Sequence, residues 1–204
     1  MISIIDYGLG NIQAIYTVFK NLNIPVKIAS NRNDLKNIDK IILPGVGAFD
    51  YAMEKLEKSG MLDSLNSLVF NDKKHVLGIC VGMQMLALSS EEGTRSGLGW
   101  LNADVKKFLP SYNNAKISIP HMGWNNIKLQ LENPILQGID SNAYFYFLHS
   151  FYYNSHDENN ILAITYYGKN FVSVVNQDNI YGVQFHPEKS HQSGIQLLKN
   201  FSEL

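Results

Sequence analysis

The sequence predicts an α/β fold: a doubly wound, mixed but mostly parallel sheet flanked by helices, with a smaller antiparallel portion in the second half. Three observations carry this. Apolar β-branched runs alternate with helix-period segments over the first quarter of the chain, as a parallel sheet with covering helices requires. The run Val76-Leu77-Gly78-Ile79 reaches the chain's only cysteine, Cys80, and passes straight into helical spacing. Beyond Gly99 the pattern changes to short strands between turn residues, which suits antiparallel or mixed pairing.

The elements follow in order. Residues 2–5 are apolar and β-branched, a strand, and Asp6-Tyr7-Gly8-Leu9-Gly10 breaks it. Asn11 can cap a helix that places Ile12, Ile15, Tyr16 and Phe19 on one face. Residues 25–29 and 40–43 read as the next two strands, followed by Pro44-Gly45-Val46-Gly47-Ala48-Phe49. Helical patterns cover 51–56 and 62–69, and a buried strand covers 76–79. Met83, Leu86 and Ala87 share a face of the helix expected over 83–88. A glycine-rich loop fills 89–99. Strands are then expected at 104–108, 117–119, 144–148, 161–165, 171–175 and 180–185. Turns at Asn113-Asn114, Tyr167-Gly168-Lys169-Asn170 and Gln177-Asp178-Asn179 separate them. The last segment, 190–201, is an amphipathic helix with Ile195, Leu198 and Phe201 inward and Ser190 as its cap. No repeat or linker interrupts the chain, so 1–204 is expected to be one domain of two halves.

Composition narrows the function classes. A formal net charge of -1 leaves no basic footprint for nucleic acid or an anionic membrane. No apolar run reaches membrane-spanning length, and the N-terminal residues do not read as a signal peptide. One cysteine cannot form an internal disulfide, which fits a cytoplasmic protein. The histidines, His75, His121, His149, His156, His186 and His191, show no metal-ligand spacing, so neither a metal nor a cofactor is expected.

Two stretches carry chemistry. Gly78 and Gly82 flank Cys80 between a strand and a helix, the layout of a nucleophile elbow. The helix start favours a thiolate, and free N–H groups near Val81 can donate to a developing oxyanion. The Gly45 and Gly47 backbone, at another strand end, can supply a second donor where the two strands are neighbours. Far downstream comes Phe185-His186-Pro187-Glu188. Pro187 holds His186 extended, so His186 and Glu188 reach one neighbourhood. A cysteine nucleophile needs a base, and the base needs an orienting partner. Cys80, His186 and Glu188 supply the three roles.

Gly78-Ile79-Cys80-Val81-Gly82-Met83-Gln84 together with Gly182-Val183-Gln184-Phe185-His186-Pro187-Glu188 resembles the class I (triad) glutamine amidotransferases. Ile5-Asp6-Tyr7-Gly8-Leu9-Gly10-Asn11, Pro120-His121-Met122-Gly123-Trp124-Asn125, Tyr144-Phe145-Tyr146-Phe147-Leu148-His149-Ser150 and His186-Pro187-Glu188-Lys189-Ser190 are similar to the glutaminase subunits of imidazole glycerol phosphate synthases. The resemblance implies hydrolysis of glutamine to glutamate and ammonia through a thioester on Cys80. It implies Val81 and the Gly45-Val46-Gly47 backbone as oxyanion donors, and Gln84, Glu92, His149, Ser150 and Phe151 as the glutamine pocket. It further implies a heterodimer with a (β/α)8-barrel synthase that receives the ammonia and makes imidazole glycerol phosphate and aminoimidazole carboxamide ribotide in histidine synthesis. Asn11, Trp124 and Lys189 would face that partner. By residue type alone they read as a helix cap, a core aromatic and a surface charge.

The resemblance has a second branch. Val81 stands where leucine is more usual, and the run after Lys189 resembles paralogues that feed ammonia to enzymes amidating a surface-polysaccharide sugar. Two readings from other classes are a cysteine peptidase and a non-catalytic subunit. The first leaves Gln84 and His186-Pro187-Glu188 unexplained, and the second leaves the intact Cys80, His186 and Glu188 set unexplained.

Overall fold

A computed structural model describes residues 1–112, 115–140 and 142–204. The first half runs β1 (Ile2–Ile5), α1 (Ile12–Asn21), β2 (Val26–Ala29), β3 (Lys40–Gly45), α2 (Phe49–Lys58), α3 (Leu62–Phe70), β4 (His75–Cys80) and α4 (Val81–Met85). The second half runs β5 (Ser89–Ser90), β6 (Ala103–Lys107), β7 (Ser111–Tyr112), β8 (Ala115–Lys116), β9 (His121–Asn126), β10 (Lys128–Leu129), β11 (Tyr144–His149), β12 (Phe151–Ser155), β13 (Ile161–Tyr167), β14 (Lys169–Gln177), β15 (Ile180–Val183) and α5 (His191–Glu203).

An eight-stranded sheet has the order β10-β13-β14-β15-β4-β3-β1-β2. β2, β1, β3, β4 and β15 pair in parallel, and β14, β13 and β10 continue antiparallel beyond β15. β1 and β15 are buried at every residue, which is why they read as unbroken apolar runs rather than alternating ones. Three smaller groups accompany this sheet among the described residues: a β9–β11 ribbon, a β5-β6-β12 sheet and a β7–β8 pair. Helix α1 buries Ile15 and Phe19 and packs on α5, while α2 packs on α4. Among the described residues no helix is long and apolar enough to cross a membrane.

Several local expectations are corrected. The helix expected over 83–88 begins at Val81 and ends at Met85. Residues 117–119 form no strand; the strand is β9, whose residues alternate in burial. β12 and the short β5 inside the glycine-rich loop were not foreseen. Neither Asn11 nor Ser190 caps its helix through its side chain. On α5 the inward residues are Leu197, Leu198 and Phe201, with Ile195 only half-buried. The expected Asn113-Asn114 turn lies outside the described residues.

The sheet places three strand ends side by side. β3 and β15 flank β4, with Gly45 opposite Cys80 and Val183 opposite Ile79. Their closeness depends on missing side chains. A Cβ on Gly82 would lie 1.9 Å from the Leu43 carbonyl oxygen, and one on Gly78 would lie 2.7 Å from the Gly82 oxygen. The first turn of α4 therefore packs backbone against backbone on β3. Gly82→Ala is expected to cost about 1–3 kcal/mol of unfolding free energy or more, because β3 or α4 must move. A urea unfolding midpoint measured against the wild-type chain checks this.

Candidate active site

Cys80 closes β4 with φ 55 and ψ -112, a conformation that L side chains rarely adopt. The strained turn aims the thiol across the strand ends rather than into the sheet. Its sulfur lies 3.9 Å from the Leu148 carbonyl and 3.9 Å from the Gln184 amide nitrogen. His186, three residues past β15, has Cys80 on one side and Glu188 on the other. Its Nδ1–H donates to Glu188 Oε1 at 3.0 Å, which leaves Nε2 for the cysteine. Burial acts to lower the affinity of this imidazole for its proton. The negative charge of a Cys80 thiolate, its hydrogen bond and the Glu188 carboxylate outweigh burial and push the ring up to about 10. The Glu188 side chain is itself only 1% exposed. Asn11 Nδ2 donates to its Oε1 at 3.5 Å, and Oε2 has no partner among the described residues.

A pocket of about 270 Å³ opens beside the thiol. Val46, Gly47, Cys80, Val81, Gln84, Glu92, His149, Ser150, Phe151 and His186 all line it, together with Pro120 and Leu148. Gly45 does not; it is buried at the end of β3. Tyr7 OH donates to the Pro44 carbonyl at 2.7 Å and anchors the start of the 44–47 loop. Glu92 Oε2 accepts from the Phe49 N–H at 2.8 Å, so one oxygen caps α2. Burial raises the Glu92 carboxyl, against the Phe49 hydrogen bond that lowers it. Gln84 Nε2 donates to the Phe151 carbonyl at 3.0 Å and to Gln184 Oε1 at 3.1 Å. With its amine turned inward, Gln84 has its carbonyl oxygen left for a ligand.

His149 lines the pocket, yet both of its ring nitrogens are bonded within the protein. Its Nδ1 bonds the Phe151 carbonyl at 2.7 Å, and its Nε2 bonds His121 Nδ1 at 3.0 Å. Burial is the main force holding both rings below the ordinary histidine value of 6.5, to about 4 for His121 and about 3 for His149. The neighbouring His121 and His186 lower His149 further, against the Phe151 bond that raises it.

A family profile described as "Glutamine amidotransferase class-I" matches residues 3–203. The chain belongs to that family. The "Imidazole glycerol phosphate synthase subunit HisH" of Bdellovibrio bacteriovorus is 52% identical over 204 residues, all of both chains. The protein of the same name from Leptospira interrogans is 50% identical over the same full length. Among solved structures, one titled "Crystal structure of glutamine amidotransferase" superposes with a TM-score of 0.76 at 17% identity, over 100% of this chain and 99% of that one. At that identity the likeness speaks for the fold alone.

Within this amidotransferase fold, the three residues expected at the partner side lie close to the catalytic end of the sheet. Trp124 is 46% exposed on β9, so the reading as a core aromatic does not hold. It stacks on His191 at 4.9 Å and meets Tyr146 edge-on at 5.9 Å. Lys189 Nζ sits 5.6 Å above the Tyr146 ring. Asn11 reaches Glu188 instead of capping α1. The Tyr146 backbone joins this cluster to the site, because its carbonyl accepts from the His186 N–H at 2.9 Å and its N–H donates to Ser190 Oγ at 3.0 Å.

Sequence reasoning missed Gln184, His121, Asn125 and Tyr7. The signal was present for Gln184, a fully buried amide inside the apolar run 180–185. Two measurements test the site as built. Cys80→Gly is expected to unfold at higher urea than Cys80→Ala, by about 1 kcal/mol or more, because only glycine relaxes at that φ. Both buried histidines must stay neutral in the folded chain, although they protonate near pH 6.5 when unfolded. Their stabilisation is therefore present above pH 6.5 and is lost as pH falls towards 4, at up to about 1.4 kcal/mol per pH unit for each ring. Urea unfolding at pH 7 and pH 5 should show this decline, and it should be shallower in His121→Phe.

Proposed function

We propose that the chain, acting as one domain over 1–204, hydrolyses glutamine and delivers ammonia to a synthase partner. The observation that supports it most is the buried line Cys80–His186–Glu188 facing a mostly apolar pocket into which Gln84, Glu92 and Ser150 bring polar groups. His186 takes the thiol proton, and the Cys80 thiolate attacks the side-chain amide carbon of glutamine. The tetrahedral oxyanion is met by the Val81 N–H and by a backbone N–H of the Gly45-Val46-Gly47 loop. Collapse breaks the C–N bond, His186 protonates the departing ammonia, and a γ-glutamyl thioester remains on Cys80. Water, deprotonated by His186, attacks the thioester carbon. Glutamate leaves and the thiol is restored. Glu188 holds the Nδ1–H tautomer of His186 and stabilises its cation. Gln84 and Glu92 offer oxygens to the substrate ammonium, and residues 149–151 close the pocket wall.

The partner assignment rests on the relatives named as synthase subunits and on the outer face of the β9–β11 ribbon. Met122 is 65% exposed, Trp124 46%, Tyr144 57% and Leu148 38%. Met122 pairs with Leu148 and Trp124 with Tyr146 across the strands. A contiguous apolar face of this kind marks a protein interaction site. We place a (β/α)8-barrel synthase there, in the cytoplasm, using the ammonia to form imidazole glycerol phosphate and aminoimidazole carboxamide ribotide. Lys189 and Asn11 border the same face.

The test is glutamate release by the chain mixed with a barrel subunit from the same genome, with and without the ribulosyl-phosphate acceptor. Strong stimulation by the acceptor is expected, and no release from Cys80→Ala. A peptide flip in the Gly45-Val46-Gly47 loop on partner binding would complete the oxyanion pair, so the isolated chain should be slower by about a hundred- to a thousand-fold, the effect of one missing donor. Turnover retained in Cys80→Ala contradicts the mechanism. Labelling of Cys80 by a glutamine-like electrophile without acceptor stimulation keeps the glutaminase and moves the ammonia to another acceptor, a surface sugar first.

A further inference from the structure

We propose that His121 is a positioning residue for the glutamine pocket, acting through His149 to hold the Phe151 carbonyl in place. The proposal rests on the glutaminase reading of that pocket. Its basis is a chain of hydrogen bonds whose direction is determined at both ends. The Asn125 amide orientation follows from two backbone contacts: Oδ1 accepts from the Asn126 N–H at 2.9 Å, and Nδ2 donates to the Tyr166 carbonyl at 3.0 Å. Nδ2 therefore also donates to His121 Nε2, 3.2 Å away. At the other end the Phe151 carbonyl can only accept, so the proton on that bond belongs to His149 Nδ1. Between these ends only one arrangement satisfies every atom with neutral rings. His121 carries its proton on Nδ1 and gives it to His149 Nε2 at 3.0 Å.

The cage around this chain fixes ring orientation as well as protonation. The His121 ring lies 3.9 Å from Tyr167 and 4.8 Å from Phe147, nearly parallel to both. Phe108 and Phe171 close the remaining sides of the pair. His121 and His149 are 3% and 7% exposed. Charging His149 would put two donors face to face between His121 Nδ1 and His149 Nε2, and charging His121 would do the same between its Nε2 and Asn125 Nδ2, in surroundings that penalise the charge. The output of the chain is the Phe151 carbonyl, which receives His149 from one side and Gln84 from the other. Phe151 and Gln84 both line the pocket, whereas His121 does not. Without the His121 donor, His149 is free to move its proton to Nε2. The Phe151 carbonyl then loses a donor, and the wall that fits glutamine loosens.

The experiment uses the chain in complex with its barrel partner. Ring-nitrogen NMR of the wild type should show His121 and His149 neutral, both protonated at Nδ1. His121→Phe keeps the stacking and removes the donor. It should shift His149 away from the Nδ1–H form and raise the KM for glutamine about tenfold, with kcat per electrophile-labelled Cys80 changed less. His121→Gln, which retains an N–H, should recover most of the KM. A misfolded fraction would lower the number of labelled sites without moving KM. An Nε2–H tautomer at wild-type His149, or an unchanged KM in His121→Phe, overturns the proposal. If the wild-type complex turns over no glutamine, the glutaminase reading fails; the dissociation constant of glutamine measured by calorimetry then takes the place of KM in the same comparison.

Discussion

The rest of the structure depends on how closely the first turn of α4 lies against the end of β3. A Cβ at position 82 would overlap the Leu43 carbonyl, so only a glycine lets the two backbones touch there. That contact forces the chain to turn sharply at the residue between strand and helix, and Cys80 takes the strained dihedrals. The strain is held by everything packed around it: β3 and β15 on either side of β4, and an α4 buried at every residue. A short helix with no exposed face gains little from its own hydrogen bonds. It is ordered by tertiary burial.

Burial also sets the electrostatics. His186 and Glu188 lie in a region where an isolated charge would be costly, and each is tolerable because of the other and because of the sulfur. The same low-dielectric surroundings keep His121 and His149 neutral a short distance away. The three rings are thus pushed in opposite directions, His186 upwards by the sulfur and Glu188, and His121 and His149 downwards by burial, with the difference made by what each ring touches. Such separation of neighbouring titratable groups is how a site assigns acid and base roles.

The parts of this architecture legible in sequence were those with local signatures. The parallel strands read as apolar runs, and the glycine-flanked Cys80 and the proline-following His186 stood out by spacing. What escaped was non-local. β9 places an exposed residue at every second position and β12 buries only Tyr152 and Tyr153, so neither shows a clean apolar run. His121 and Asn125 belong to that irregular strand and gain their meaning from His149 and Phe151, which only pairing brings near. The resemblance implies His149 as a glutamine-pocket residue; it does line the pocket beside Cys80, yet both of its nitrogens bond within the protein, to His121 and Phe151. Asn11 and Ser190 have the right type to cap helices, and tertiary partners, Glu188 for one and His186 and Tyr146 for the other, claim their side chains instead.

The position of β15 in the sheet has a further consequence. It lies between β14 and β4, so the last strand of the chain inserts beside the strand that ends at Cys80. During synthesis, β1 to β4 leave the ribosome with the nucleophile in hand long before His186 and Glu188 exist. A nascent or truncated chain that stops before β15 holds a cysteine with neither base nor orienting acid. The nucleophile and the groups beside it are thus separated in the chain by about a hundred residues and meet only when β15 pairs next to β4.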